Sequence, residues 1–92
     1  MAGHPGGATR PSVGTVHRLE FTIEPFDEGR PGPHVTEPAA VLRAAGYDVD
    51  FGPFGSSVSV PTGDVGTVAA LVLTTAFGHG ATHVNLDVGA PQ

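Results

Sequence analysis

The chain has 92 residues, with four arginines, no lysine, no cysteine and nine carboxylates, for a formal net charge of -5. That length suits one domain, and the surplus of negative charge repels a phosphate backbone, so nucleic acid is not an expected partner. Without cysteine or lysine there is no disulfide, thiolate nucleophile, sulfur-held metal or P-loop clamp, and no apolar run reaches the roughly 18 residues of a membrane-spanning helix.

Residues 1–15 contain Gly3, Pro5, Gly6, Gly7, Pro11 and Gly14 and almost no apolar periodicity. They read as a flexible tail before a single domain over residues 16–92. The tail lacks the basic start and continuous apolar stretch of a secretion signal, so a cytoplasmic chain is expected.

From Val16 to Phe26, Leu19, Phe21 and Ile23 alternate with Glu20, Thr22 and Glu24, the period-two signature of a strand with one buried face. Residues 27–33 are rich in glycine and proline and read as a loop. Val35, Ala39, Leu42 and Ala45 then recur at helical spacing. Thr36 is the expected cap, Pro38 is expected in the first turn, and Gly46 the end.

Tyr47, Val49 and Phe51 interleave with Asp48 and Asp50, and Val58 and Val60 interleave with Ser57 and Ser59. Between them, Gly52-Pro53-Phe54-Gly55-Ser56-Ser57 forms a tight corner, so the region reads as a hairpin whose bend carries two hydroxyls. Pro61-Thr62-Gly63-Asp64 supplies a turn with Asp64 as a capping side chain. Val65, Val68, Ala69, Val72 and Ala76 trace a second helical stripe, stopped by Gly78 and Gly80. Last, His83, Asn85 and Asp87 alternate with Val84, Leu86 and Val88 as a fourth strand.

The order strand, helix, strand, strand, helix, strand predicts an α+β fold: a ferredoxin-like βαββαβ arrangement, a four-stranded antiparallel sheet with two helices on one face. The other face then carries Glu20, Thr22, Glu24, Asp48, Asp50, Ser57, Ser59, His83, Asn85 and Asp87. Such a face often does no more than meet water. This one is rich in hydrogen-bond acceptors drawn from several strands, which also suits a small cationic ligand with amino donors, or burial against another subunit.

The run Glu20-Phe21-Thr22-Ile23-Glu24-Pro25-Phe26, the corner Gly52 to Ser57 and the later Gly80-Ala81-Thr82-His83-Val84 together resemble the YkoF-like thiamine-binding proteins. The resemblance covers residues 17–89 and is strongest at Gly-Pro-large apolar-Gly followed by two small hydroxyl residues. Serines stand at 56 and 57 where threonines are common in that family, which keeps both hydroxyls. The resemblance implies a homo-dimer or tetramer that binds thiamine or its hydroxymethylpyrimidine half for salvage, uptake or buffering. Thiamine would be a ligand, not a cofactor, and no catalytic residue is implied.

An aminopyrimidine needs acceptors such as Glu24, Asp50 or Asn85 and donors such as the Ser56 and Ser57 hydroxyls, with Phe54 available to stack on the ring. Thr22, Gly52, Pro53 and Gly55 complete the expected binding set. A small ferredoxin-like enzyme of the isomerase or monooxygenase type, using His83 or Glu24 as a base, is the alternative, together with a ligand-sensing regulatory module. His79 and His83 have the spacing of a helical metal pair, but Gly80 separates a helix end from a strand, so no metal site is expected from them.

Overall fold

The computed structural model describes residues 16–26, 30–52 and 55–90. The expected tail therefore lies outside the described residues, as do 27–29 of the first loop and Pro53 and Phe54 of the corner. Strands β1 (Val16–Glu24), β2 (Val49–Phe51), β3 (Ser56–Pro61) and β4 (His83–Val88) form one antiparallel sheet in the order β2-β3-β1-β4. Helix α1 (Pro33–Ala44) links β1 to β2, and helix α2 (Val65–Gly78) links β3 to β4. Each helix thus connects two strands that run parallel with a third between them, the interleaved crossover of a ferredoxin-like α+β fold.

The core follows from strand alternation. Leu19, Phe21, Ile23, Val49, Val58 and Val60 are buried on one face of the sheet. Against them lie Ala39 and Leu42 of α1 and Val68, Val72 and Ala76 of α2, all buried, and the two helices pack against each other. Phe51, expected in this core, is 40% exposed because it ends a three-residue edge strand. Val84 and Leu86, on the other edge, are half-buried.

Both helices stop as their glycines predict. Gly46 and Gly80 each take φ 98°, a conformation costly for residues with a Cβ. At α1 the Gly46 N–H reaches the Arg43 carbonyl and the Tyr47 N–H the Leu42 carbonyl. At α2 the Gly80 N–H reaches Phe77 and the Ala81 N–H reaches Ala76. These are paired bonds of the Schellman type. They also draw Tyr47 into the helix terminus, so β2 begins at Val49 and not at the Tyr47 of the alternating pattern.

The first helix starts earlier than its sequence suggests. Pro33 occupies the first turn, and the Gly32 carbonyl accepts the N–H groups of Val35 and Thr36 at 2.9 and 3.0 Å. Thr36 is therefore inside the helix, its hydroxyl donating back to the Gly32 carbonyl at 3.4 Å, and does not cap it. Pro38 sits in the second turn and leaves the His34 carbonyl without its usual i+4 donor, a defect worth about 3 kcal/mol in an exposed helix. Here its ring is fully buried in the core, which offsets that loss. The His34 ring donates to the Pro25 carbonyl and holds this helix start against the end of β1.

Asp64 also departs from expectation. It precedes α2 at the N-cap position, after a single 3-10 turn (Thr62–Asp64), but makes no side-chain capping bond. Its carboxylate instead accepts the Tyr47 hydroxyl at 2.8 Å.

Candidate functional site

The face of the sheet away from the helices is built in rows, because antiparallel pairing sets residues of adjacent strands side by side. One row runs across all four strands: Asp50 opposite Ser57, Ser57 opposite Glu20, and Glu20 opposite Asp87. Neighbours in such a row stand roughly 5 Å apart at Cβ. Three carboxylates and a serine therefore share one line.

The next row is nearly bare. The Gly52 N–H donates to the Gly55 carbonyl at 2.8 Å, one step beyond the Phe51–Ser56 pair, and Gly55 packs against Thr22, which in turn pairs with Asn85. A Cβ at Gly55 would stand 2.9 Å from Thr22 Cγ2 and 3.1 Å from the Phe21 carbonyl oxygen. Two glycines just beyond the paired ends of β2 and β3 thus leave a floor of main chain beside a wall of acceptors. The result is an open concavity of about 400 Å³, lined by Arg18, Glu20, Phe21, Thr22, Asp50, Gly52, Gly55, Ser56, Ser57, Asn85 and Asp87.

Arg18 adjusts the charge of this surface. Its Nε donates to Glu20 Oε2 at 3.0 Å and its Nη2 to Ser57 Oγ at 3.0 Å. The guanidinium lies over Ser57, which explains why a serine on the open face is only 8% exposed. One guanidinium against the carboxylates of Glu20, Asp50 and Asp87 leaves the lining with two negative charges in excess. Glu20, Asp50 and Asp87 are all exposed, so a ligand meets them as hydrated acceptors.

Of the residues expected to bind, Thr22, Asp50, Gly52, Gly55, Ser56, Ser57 and Asn85 line the concavity. Ser56 and Ser57 do not act together. Ser56 pairs with Phe21 and Phe51, so alternation turns its side chain to the helix face, and only Ser57 presents a hydroxyl to the open face. Glu24 is not part of the lining. It ends β1 opposite His83, one row beyond Thr22, and its carbonyl accepts the Thr82 N–H at 2.8 Å. Pro53 and Phe54 lie outside the described residues.

Arg18 is the charged lining residue that the sequence reading missed, Phe21 was read as core alone, and Glu20 and Asp87 were placed on this face without being assigned to the site. Their signal is present in the alternation: Arg18, Glu20 and Thr22 are spaced by two, and Asp87 follows Asn85 by two. The histidines disperse. His79 follows α2, its Nδ1 donating to the Thr75 carbonyl at 2.9 Å, while His83 begins β4 on the open face. His17, at the far end of β1, reaches the Gly89 carbonyl and the Thr62 hydroxyl. Among the described residues no group of three or more His, Cys, Asp or Glu is arranged to hold a metal ion, and no helix is long and apolar enough to cross a membrane.

No family model, curated protein or solved structure matches the chain.

Proposed function

We propose that the protein binds thiamine or its hydroxymethylpyrimidine half without chemical turnover, as a cytoplasmic homo-oligomer serving salvage, uptake or buffering of the vitamin. The observation that carries this reading is the concavity itself: about 400 Å³ of open space lined by Gly52 and Gly55, beside a row of three carboxylates with two negative charges in excess. An aminopyrimidine offers donors to Asp50 or, placed toward the other edge of the sheet, to the Asn85 amide oxygen, and accepts from the Asn85 amide or the Thr22 hydroxyl. A thiazolium carries a fixed positive charge, which the acidic row favours. Gly55 matters because a Cβ there would press on Thr22 and the Phe21 carbonyl, both part of the lining.

The reading is one of binding and not of catalysis because the acidic groups are open to water. A general base is usually set in a drier pocket that moves its pKa toward neutrality. Isothermal titration of the purified chain with thiamine, and separately with hydroxymethylpyrimidine, tests it. Saturable heat with the ligand recovered intact is the expected outcome. No heat and no thermal shift with either compound at millimolar concentration overturns the proposal.

A further inference from the structure

We infer that the concavity takes thiamine as the free alcohol and turns away its phosphate esters, with Arg18 as the residue that sets the preference. The inference rests on the thiamine reading of this site and adds which chemical form of the vitamin is held.

A phosphate monoester carries about 1.5 to 2 negative charges at pH 7, and it is recognised by cations and by N–H groups that have no other acceptor. The chain is poor in both at this place. It has no lysine, and of its four arginines Arg10 lies outside the described residues, Arg30 is exposed in the loop before α1, and Arg43 of α1 donates from Nη2 to the Val49 carbonyl. Among the described residues Arg18 is the only cationic side chain in the lining, and no histidine joins it. The Gly52 N–H, which borders the floor, is already bonded to the Gly55 carbonyl.

Arg18 is itself engaged along an edge that phosphate oxygens use. A guanidinium grips an anion through two parallel N–H groups. Nε and Nη2 form such a pair, and they are held by Glu20 Oε2 and Ser57 Oγ, each at 3.0 Å. The ion pair with Glu20 is exposed and weak by itself, so an ester can compete for it. Doing so uncovers Glu20 in its row between Ser57 and Asp87, and the anionic guest then faces Glu20, Asp50 and Asp87 together. Ser57, covered by the guanidinium, adds no free hydroxyl.

Thiamine brings one positive charge to a lining with two negative charges in excess. Its monophosphate brings a net charge of about −0.5 to −1 to the same place, so attraction becomes repulsion. In largely aqueous surroundings that reversal amounts to about tenfold or more in affinity at low salt.

Calorimetry of the full chain with thiamine and with thiamine monophosphate, in EDTA so that no divalent ion bridges the ester to a carboxylate, reads the preference. The monophosphate is expected to bind about tenfold or more weakly than thiamine at about 50 mM salt, and the ratio should shrink at about 0.3 M as screening tightens. Arg18→Gln should widen the ratio about threefold or more, and Glu20→Gln, which frees the guanidinium, should narrow it by a similar factor. Asp87→Asn removes the same charge as Glu20→Gln but leaves Arg18 engaged, so it should narrow the ratio less. Monophosphate binding as tight as that of thiamine overturns the inference and leaves the thiamine reading standing. A ratio unmoved by both Arg18→Gln and Glu20→Gln overturns the role given to Arg18. If neither compound binds, the preference and the thiamine reading fall together.

Discussion

The Tyr47 hydroxyl donates to the Asp64 carboxylate at 2.8 Å, joining a residue just past the capping turn of α1 to the residue that precedes α2. The hydrogen bond, then partial burial, then the negative charge of Asp64 raise the phenol above its ordinary value of 10.0. A pKa higher in the folded chain means that this bond's contribution is complete below about pH 10 and is lost as pH rises through the folded value. Tyr47 is the only tyrosine, and there is neither lysine nor cysteine, so little else titrates in that window. Tyr47→Phe should cost about 1 kcal/mol in urea unfolding at pH 7 and flatten the alkaline decline. A gap between the two proteins that persists unchanged at pH 11 would count against this account.

Gly46 and Gly66 should respond to the same substitution with opposite signs. Neither has an atom within 4 Å of a built Cβ, so crowding decides nothing. Gly46 holds φ 98° at the end of α1, where alanine is strained, while Gly66 lies in the first turn of α2 with helical geometry. Gly46→Ala should destabilise by about 1 kcal/mol, and Gly66→Ala should stabilise by up to about 1 kcal/mol. Thermal melts of the two variants side by side are sufficient to check both.

These two glycines also show what was legible in the sequence. Alternation and glycine placement express local geometry, so the strands, the helix ends and the polar face could be read from them directly. The start of α1 could not, because whether Pro38 is tolerable in a second turn depends on the core that buries its ring, a contact made by distant residues. Asp64 looks like a capping residue until Tyr47 arrives from 17 positions earlier to take its carboxylate. In the site, the Ser56-Ser57 pair reads as one hydroxyl-bearing corner, and only the strand register shows that the two side chains part to opposite faces. Arg18 shows its alternation with Glu20 and Thr22 in the sequence, but its contact with Ser57 spans 39 positions and is visible only once the strands pair.

Gly55→Ala tests the floor of the concavity. The new methyl would meet Thr22 Cγ2 at 2.9 Å and the Phe21 carbonyl at 3.1 Å, and a carbonyl in the central strand cannot withdraw as a side chain can. A loss of about 1–3 kcal/mol is expected from overpacking. Adding Thr22→Ser removes one of the two close contacts and should recover part of that stability, measured by urea midpoint. If the double variant is no more stable than the single one, the floor is not limited by Thr22.

Asp50→Asn and Glu20→Gln should separate charge from shape in the proposed site. Each substitution keeps the size of the side chain and removes one negative charge from a lining that holds two in excess. A cation roughly 5 Å away in largely aqueous surroundings loses about 1 kcal/mol of attraction per charge removed, or about fivefold in thiamine affinity at low salt. That difference should shrink as ionic strength rises past 0.15 M, where screening acts over about 8 Å. Hydroxymethylpyrimidine, which lacks the fixed charge, should lose less than thiamine with either variant. Glu20→Gln also releases Arg18 from its ion pair, so its effect on thiamine should exceed that of Asp50→Asn, a ranking that calorimetry can reverse.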